Sequence, residues 1–128
     1  MNVVDSSGWL EWFNDAPNAS AFAGVLQDTD SLLVPSIAIF EVHRVATRLH
    51  GRDRADELIL TMTKSGRVVG LDTDIAVAAS EIAHANKLAT ADAIIYATAV
   101  VHSATLWTQD AHFKELPGVQ CFAKPPAD

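Results

Sequence analysis

The chain has 128 residues, of which 49% are hydrophobic and 20% charged, and its formal net charge is −7. This length suits one domain with a buried core, and the composition argues against long disordered regions. The opening residues lack the pattern of a secretion signal, and no apolar run reaches the roughly 20 residues of a membrane helix. The single cysteine, Cys121, permits no internal disulfide. We therefore expect a protein of the reducing cytoplasm without a membrane segment.

The acidic balance is unfavourable for binding nucleic acid, because affinity for phosphates comes from cations. The chain has 16 acidic residues against nine lysines and arginines. The arrangement of the cations weakens this objection, since Arg44, Arg48, Arg52 and Arg54 fall in one stretch. We interpret this stretch either as a contact for RNA or a partner protein, or as an ordinary solvated helix face.

Hydrophobic patterning predicts strands that alternate with helices. A short strand ends at Asp5, and the following helix has Ser6 or Ser7 as its cap. The spacing of Phe22, Val25 and Leu26 indicates a second helix. The remaining predicted strands cover 31–34, 67–71, 105–108 and 119–122. The remaining predicted helices cover 36–50, where Gly51 stops the helix, 52–65, the segment from a cap at Asp72 or Thr73 to about Lys87, 90–101 and, as a short helix, 110–116.

Strands that alternate with helices pair in parallel and are covered by helices on both faces. We therefore predict a three-layer α/β/α sandwich with a central parallel sheet. It forms a single domain over residues 1–124, and residues 125–128 form a short tail.

Four acids stand at positions that are unusual for charged side chains. Asp5 and Asp110 follow predicted strands, Glu41 lies early in a helix, and Asp92 occupies the first turn of another helix, all close to apolar neighbours. An acid among apolar residues is usually paired or coordinating, because a lone buried carboxylate is costly. Ligands collect at the carboxyl ends of strands in open parallel sheets. We hypothesise that the four acids converge there.

Converging carboxylates repel one another, since two unit charges ~4 Å apart at an effective dielectric of ~20 interact by roughly 4 kcal/mol. A hard divalent cation with oxygen ligands neutralises such a cluster. Mg²⁺ or Mn²⁺ suits a site that keeps waters and binds a substrate phosphate. The chemistry that this arrangement favours is in-line attack of water on a phosphodiester.

Four sequence fragments together resemble the PIN domain of VapC toxins, from residue 3 to about residue 122. Each fragment alone is weak, but their order, spacing and the chain length agree with that family. The fragments are Val3-Val4-Asp5-Ser6-Ser7, Glu41 in its helix, Leu88-Ala89-Thr90-Ala91-Asp92-Ala93, and Thr108-Gln109-Asp110-Ala111-His112-Phe113.

The resemblance implies a toxin of a type II toxin–antitoxin system. Such a protein is an endoribonuclease that depends on Mg²⁺ or Mn²⁺, forms a homodimer and is inhibited by a cognate antitoxin. The resemblance also implies products with 5′-phosphate and 3′-hydroxyl ends. By position, Ser6 and Thr108 would support the site with hydrogen bonds. The residues to which the resemblance assigns catalysis and metal binding are Asp5, Glu41, Asp92 and Asp110.

Ordinary structural roles also fit these residues. Asp5, Asp92 and Asp110 could each serve a helix N-terminus, and Glu41 could pair with Arg44 or with Arg48. The five histidines show no metal-ligand spacing, and we interpret them as surface or half-buried residues, with His112 nearest the acids.

Two other functions compete with the nuclease. One is a non-catalytic binding module that keeps the same fold. The other is a receiver-type signalling domain with Asp72 as the phosphate acceptor at the end of the third strand. A receiver requires an acidic pair after its first strand, whereas Asp5 is followed by Ser6 and Ser7.

Overall fold

A computed structural model describes residues 1–125 of the chain. The proposed tail over 125–128 lies outside the described residues except for Pro125. The strands are β1 (Asn2–Val4), β2 (Leu32–Pro35), β3 (Arg67–Val69), β4 (Thr105–Thr108) and β5 (Val119–Cys121). The helices are α1 (Ser6–Phe13), α2 (Ala19–Gln27), α3 (Ser36–His50), α4 (Arg52–Ser65), α5 (Thr73–Asn86) and α6 (Thr90–Val101), and 3₁₀ turns cover Thr29–Ser31 and Ala111–Phe113.

The five strands form one parallel sheet in the order β3-β2-β1-β4-β5, flanked by the six helices. The predicted fold class is therefore confirmed. The chain builds the sheet outward from β1 through β2 to β3, and then returns to add β4 and β5 on the other side of β1. The strand order thus reverses between β1 and β4. The carboxyl ends of these two strands border the crevice in which open α/β sheets bind ligands.

The core lies on both sides of the central strands. Val3 and Leu33 are fully buried, as expected for strands that helices cover on both faces. Trp9 of α1 and Phe22 of α2 fill the space on one side of the sheet, and the Trp9 ring stacks on Phe13 with centroids 5.8 Å apart. The close packing of α1 against β1 places Asp5, which joins them, in the interior.

Several predicted boundaries differ from the observed ones by a few residues. Strand β2 begins at Leu32 and includes Pro35, and β3 ends at Val69 instead of reaching Leu71. The predicted helix over 110–116 is only the 3₁₀ turn Ala111–Phe113. Short segments at sheet edges carry too few apolar positions for periodicity to fix their ends.

The cap of α1 was predicted wrongly. The N-cap is Asp5, whose carboxylate accepts a hydrogen bond from the Gly8 N–H, and Ser6 is already the first helical residue. Aspartate caps helices as well as serine does, so sequence alone did not separate the candidates. The cap of α5 is Asp72, one of the two residues predicted, and it accepts from the Ile75 N–H.

Within residues 1–125, every helix falls short of the length and apolar character that crossing a bilayer requires.

Gly8 allows α1 to approach β1 and α2 closely. A Cβ at this position would lie 2.5 Å from Val4 Cγ1 and 2.7 Å from Phe22 Cε1. We predict that Gly8→Ala lowers the free energy of unfolding by about 1–3 kcal/mol, since overpacking outweighs the helix propensity of alanine. Gly24→Ala in α2 is the control, because nothing lies within 4 Å of its added Cβ. Urea unfolding measures both, and a Gly8→Ala protein as stable as Gly24→Ala would contradict the packing.

Candidate functional site

The candidate site lies where β1 and β4 end side by side. Asp5 follows β1 directly, and its backbone N–H donates to the Trp107 carbonyl at 3.2 Å, which extends the pairing of the two strands. Asp110 stands two residues after the end of β4. The sheet therefore carries both acids to one edge.

Asp5 is only 3% exposed, and its carboxylate is held from three directions. Thr108 Oγ1 donates to Oδ2 at 2.7 Å, and the Gly8 N–H donates to Oδ1 at 3.0 Å. The Ser7 hydroxyl lies 2.9 Å from both oxygens. A carboxylate accepts at about four lone-pair sites, so three donors leave one oxygen lone pair for another partner. Asp5 is thus a helix cap whose carboxylate is held in place and retains one free lone pair.

Asp92, Asp110 and His112 form the tightest group of ligand atoms. Each offers one oxygen or nitrogen, and these atoms all lie within 4.8 Å of one another. His112 Nδ1 is 3.1 Å from Asp110 Oδ1, and its side chain is 78% exposed. Two carboxylates and an imidazole at this separation fit a divalent cation that also binds waters or phosphate oxygens.

Glu41 reaches the site from α3. Its Oε1 accepts from the Ser6 hydroxyl at 2.9 Å, which connects it to the start of α1. No ion pair links Glu41 to Arg44 or Arg48 within the described part of the chain. The ion pair with Arg44 or Arg48 that was considered for Glu41 is therefore not formed among the described residues, and the Ser6 hydroxyl holds the Glu41 carboxylate instead.

Burial and the charges of nearby acids raise the pKa values of Asp5 and Asp92. Burial raises the pKa of Asp5 to about 6, against hydrogen bonds that lower it, and the charge of Asp110 adds to the increase. The pKa of half-buried Asp92 is raised by burial first and then by the charges of Asp110 and Glu41, while His112 acts in the opposite direction. The four acids therefore interact, although Asp5 and Glu41 lie outside the tightest group.

Three arginines were considered as RNA or antitoxin contacts, and they occupy different surroundings. Arg44 and Arg48 line a cleft of about 350 Å³ together with Glu41. Arg52 belongs to α4, is 83% exposed and lies 3.7 Å from Asp56. The structure thus places Arg44 and Arg48 beside the acids, but not Arg52.

Sequence reasoning assigned no role to two features of this site. It identified His112 as the histidine nearest the acids but interpreted it as a surface or half-buried residue, whereas the structure brings a ring nitrogen of His112 to Asp92 and Asp110. Gln109 donates to Glu11 Oε1 at 3.1 Å and accepts from the Asn18 amide at 3.0 Å. These bonds connect the segment that carries Asp110 to α1 through Glu11 and to the loop after α1 through Asn18. No local pattern predicts contacts across about 90 residues.

The strand order argues against a receiver domain. In that doubly wound fold the strands are ordered 2-1-3-4-5, which places the third strand next to the first. Here β2 separates β3 from β1. Asp72 therefore lies away from the crevice between β1 and β4, and its carboxylate caps α5.

Comparison with known proteins agrees with this geometry. The sequence model of the PIN domain family matches residues 3–119. The chain belongs to the PIN-domain family. The match includes Asp5, Glu41, Asp92 and Asp110, and the resemblance predicted from the four fragments is confirmed at the level of the family. A search of curated proteins gives no match.

Solved PIN-like structures share the fold along nearly the whole chain. A toxin–antitoxin complex from Klebsiella pneumoniae is 23% identical with a TM-score of 0.77, over 94% of this chain and 96% of that one. VapC20 of Mycobacterium tuberculosis, a toxin that cleaves the sarcin–ricin loop, is 15% identical with a TM-score of 0.77, over 93% and 97%. VapBC2 of Rickettsia felis, bound to promoter DNA, is 13% identical with a TM-score of 0.75, over 94% and 96%.

Burial of Asp92 and repulsion from the neighbouring acids predict how charge at this position affects the stability of the PIN domain. A raised pKa means that the folded state binds more protons than the unfolded state, so ionisation of Asp92 destabilises the fold as pH rises through that pKa. In EDTA at neutral pH, Asp92→Asn should melt at the same temperature as wild type or higher. Saturating Mg²⁺ should raise the melting temperature of wild type and have much less effect on the variant, because a ligand stabilises only the state that binds it.

Asp30→Asn is the matched control, since this exposed acid lies outside the site and the charge change is the same. It should respond to Mg²⁺ like wild type. A clear drop in the melting temperature of Asp92→Asn in EDTA would show that the Asp92 charge stabilises the fold instead of straining it.

Proposed function

We propose that this PIN domain is a toxin-type endoribonuclease that hydrolyses RNA phosphodiester bonds at the Asp5, Glu41, Asp92 and Asp110 site with the help of a divalent cation, Mg²⁺ or Mn²⁺. The observation that carries the proposal is the meeting of Asp92, Asp110 and His112 ligand atoms within 4.8 Å, beside the buried carboxylate of Asp5. Solved structures of toxins that share this fold, such as VapC20, also support an RNA-cleaving toxin function.

Each residue has a role that its contacts support. Asp92 and Asp110 would hold the cation, and Asp5, fixed by Thr108 and Ser7, offers its remaining lone pair to the same space. Glu41, positioned by Ser6, can accept a proton from an attacking water. A bound divalent cation supplies positive charge that stabilises the developing phosphoryl negative charge.

The proposal is tested by RNA cleavage with purified protein. Wild type should cut RNA with Mg²⁺ or Mn²⁺ and stop in EDTA, and sequenced fragments should carry 5′-phosphate and 3′-hydroxyl ends. Asp5→Asn should reduce the rate by at least about 100-fold, because loss of even an outer partner of a metal site commonly costs 10- to 100-fold. Asp30→Asn, purified identically, should cut at the wild-type rate and controls for contaminating ribonuclease.

A binding module without catalysis predicts a different result. Wild type would then bind RNA and leave it intact in every metal, and the transcripts of cells expressing it would have the same ends as those of cells expressing Asp5→Asn. Wild-type cleavage by Asp5→Asn would separately show that the acid site is assigned to the wrong residues.

We also propose an antitoxin partner and infer where it binds. Helices α3 and α4 form an apolar groove of about 520 Å³, in which Phe40 is 57% and Leu60 is 59% exposed. Arg44 lines both this groove and the cleft beside Glu41. An amphipathic helix of the antitoxin would bury the apolar side chains and bring its end to the acids. A homodimer in the cytoplasm is also expected, and sedimentation at micromolar concentration measures it.

Substitutions in this groove should separate inhibition from activity. A genomic library screened for growth rescue of cells that express the wild-type chain identifies the antitoxin. The Phe40→Glu/Leu60→Glu variant should still stop growth but no longer be rescued, since charges in the groove oppose burial of an apolar helix face. Val68→Glu, at the exposed edge strand, is the control and should remain rescuable. Rescue of the groove variant would place the antitoxin elsewhere.

A further inference from the structure

A second cleft opens on the other side of Asp110, between the 3₁₀ turn and the end of β5. It encloses about 480 Å³, and its walls are residues 109–112 and 114 on one side and residues 121–124 on the other. The cleft exists because β5 pairs with β4 as far as Cys121 opposite Thr108, while the chain after Asp110 turns away. It is therefore continuous with the acid site.

The wall of this cleft contains two lysines in addition to Asp110. Lys114 extends from the turn and Lys124 from the segment after β5, and both residues are exposed. Within residues 1–125, neither ammonium group forms an ion pair. In a chain of net charge −7, two lysines at one cleft that form no ion pair among the described residues are a local reversal of sign. Such a reversal attracts an anion to the edge of an otherwise repulsive site.

The cleft also offers apolar surface. The half-buried Phe122 ring lies in its wall, supported edge-on by Phe22 with centroids 5.1 Å apart and by Trp107 at 5.8 Å. An aromatic ring fixed in this way can contact the face of a base, whatever its identity. Cations and an aromatic ring together match a nucleotide, which carries both a phosphate and a base.

We propose that the cleft between Lys114 and Lys124 binds the RNA strand on one side of the scissile bond, with the two lysines contacting phosphates next to the one at the acid site. The inference rests on the proposed ribonuclease function and specifies where the RNA strand lies next to the acid site. Because Arg44 and Arg48 line a separate cleft with Glu41, cations then lie beside the acids in both clefts.

RNA binding is measured on a catalytically inactive background, so that the strand stays intact. Fluorescence anisotropy with a labelled ten-nucleotide RNA is compared for Asp92→Asn and for the same protein carrying Lys114→Gln/Lys124→Gln. Loss of two phosphate contacts should weaken binding by about 25-fold at ~0.1 M salt. It should also reduce the steepness of log affinity plotted against log salt concentration by about 1.4, since each phosphate contact on a single strand contributes about 0.7 to that slope.

Lys64→Gln/Arg67→Gln is the matched control with the same change of two charges. Both residues are exposed: Lys64 lies in the last turn of α4 and Arg67 begins β3, so both are near the amino end of this strand, whereas Asp5 and Asp110 follow the carboxyl ends of β1 and β4. A general effect of net charge would weaken RNA binding equally in both double variants, and that result would overturn the proposal.

The single cysteine gives a second readout that a merely structural effect would not change. Cys121 lines the cleft, is half-buried, and burial raises the pKa of its thiol. Bound RNA should therefore slow alkylation of Cys121 at mildly alkaline pH, and it should do so much less in the Lys114→Gln/Lys124→Gln variant. Equal alkylation rates with and without saturating RNA would place the strand elsewhere.

The outcomes separate this inference from the proposed catalysis. If wild type cuts no RNA, but the Lys114→Gln/Lys124→Gln variant binds RNA more weakly than its parent and loses the protection of Cys121, the catalytic proposal fails and RNA binding at the cleft is supported. If wild type cuts RNA and the lysine variant binds it as tightly as its parent, the cleft proposal fails alone. Unchanged RNA binding combined with lost inhibition by the antitoxin would assign the lysines to an acidic segment of that partner, which also overturns the proposal.

Discussion

The buried carboxylate of Asp5 is the feature on which the rest of the site depends. It ends β1, caps α1 and accepts from Thr108 at the end of β4, so a single side chain ties together the two strands at which the sheet order reverses. Thr108 Oγ1 in turn accepts from the Asp110 N–H at 2.9 Å. The position of the second acid is thereby set by the first. Because these bonds are short and buried, the geometry is built into the fold before any ligand arrives.

The same arrangement strains the protein electrostatically. Burial raises the pKa of Asp5 to about 6, so the charged form of this carboxylate is less favourable in the folded protein than in water, and the charges of neighbouring acids add to the raised pKa values of Asp5 and Asp92. Natural proteins keep such strain at functional sites, where a ligand relieves it. A divalent cation would do so here, and it would be bound more tightly for the same reason. Stability and ligand affinity are therefore coupled through the charges of Asp5, Asp92 and Asp110.

The negative net charge does not describe the distribution of charge around the four acids. Arg44 and Arg48 line a cleft with Glu41, and Lys114 and Lys124 line another with Asp110. The net charge is a sum over the whole chain and does not show these local groups of cations. A strand of RNA senses the local potential within about a Debye length, ~10 Å at 0.1 M salt, so a chain of net charge −7 can still present a path for a polyanion.

The sequence alone determined the alternation of strands and helices, the parallel sheet and the family, because hydrophobic periodicity and the motifs around Asp5, Asp92 and Asp110 are local signals. It also indicated Glu41, which stands out as an acid after an apolar run. The resemblance named Ser6 and Thr108 as supporting residues, but only the tertiary structure decided which acid each one holds: Ser6 donates to Glu41 and Thr108 to Asp5. It also placed His112 beside Asp92, and Gln109 between Glu11 and Asn18. Except for the bond from Ser7 to Asp5, which is local, these contacts join residues far apart in the chain. No pattern of spacing encodes them, since they arise from the packing of α1 beside α3 and of β1 beside β4.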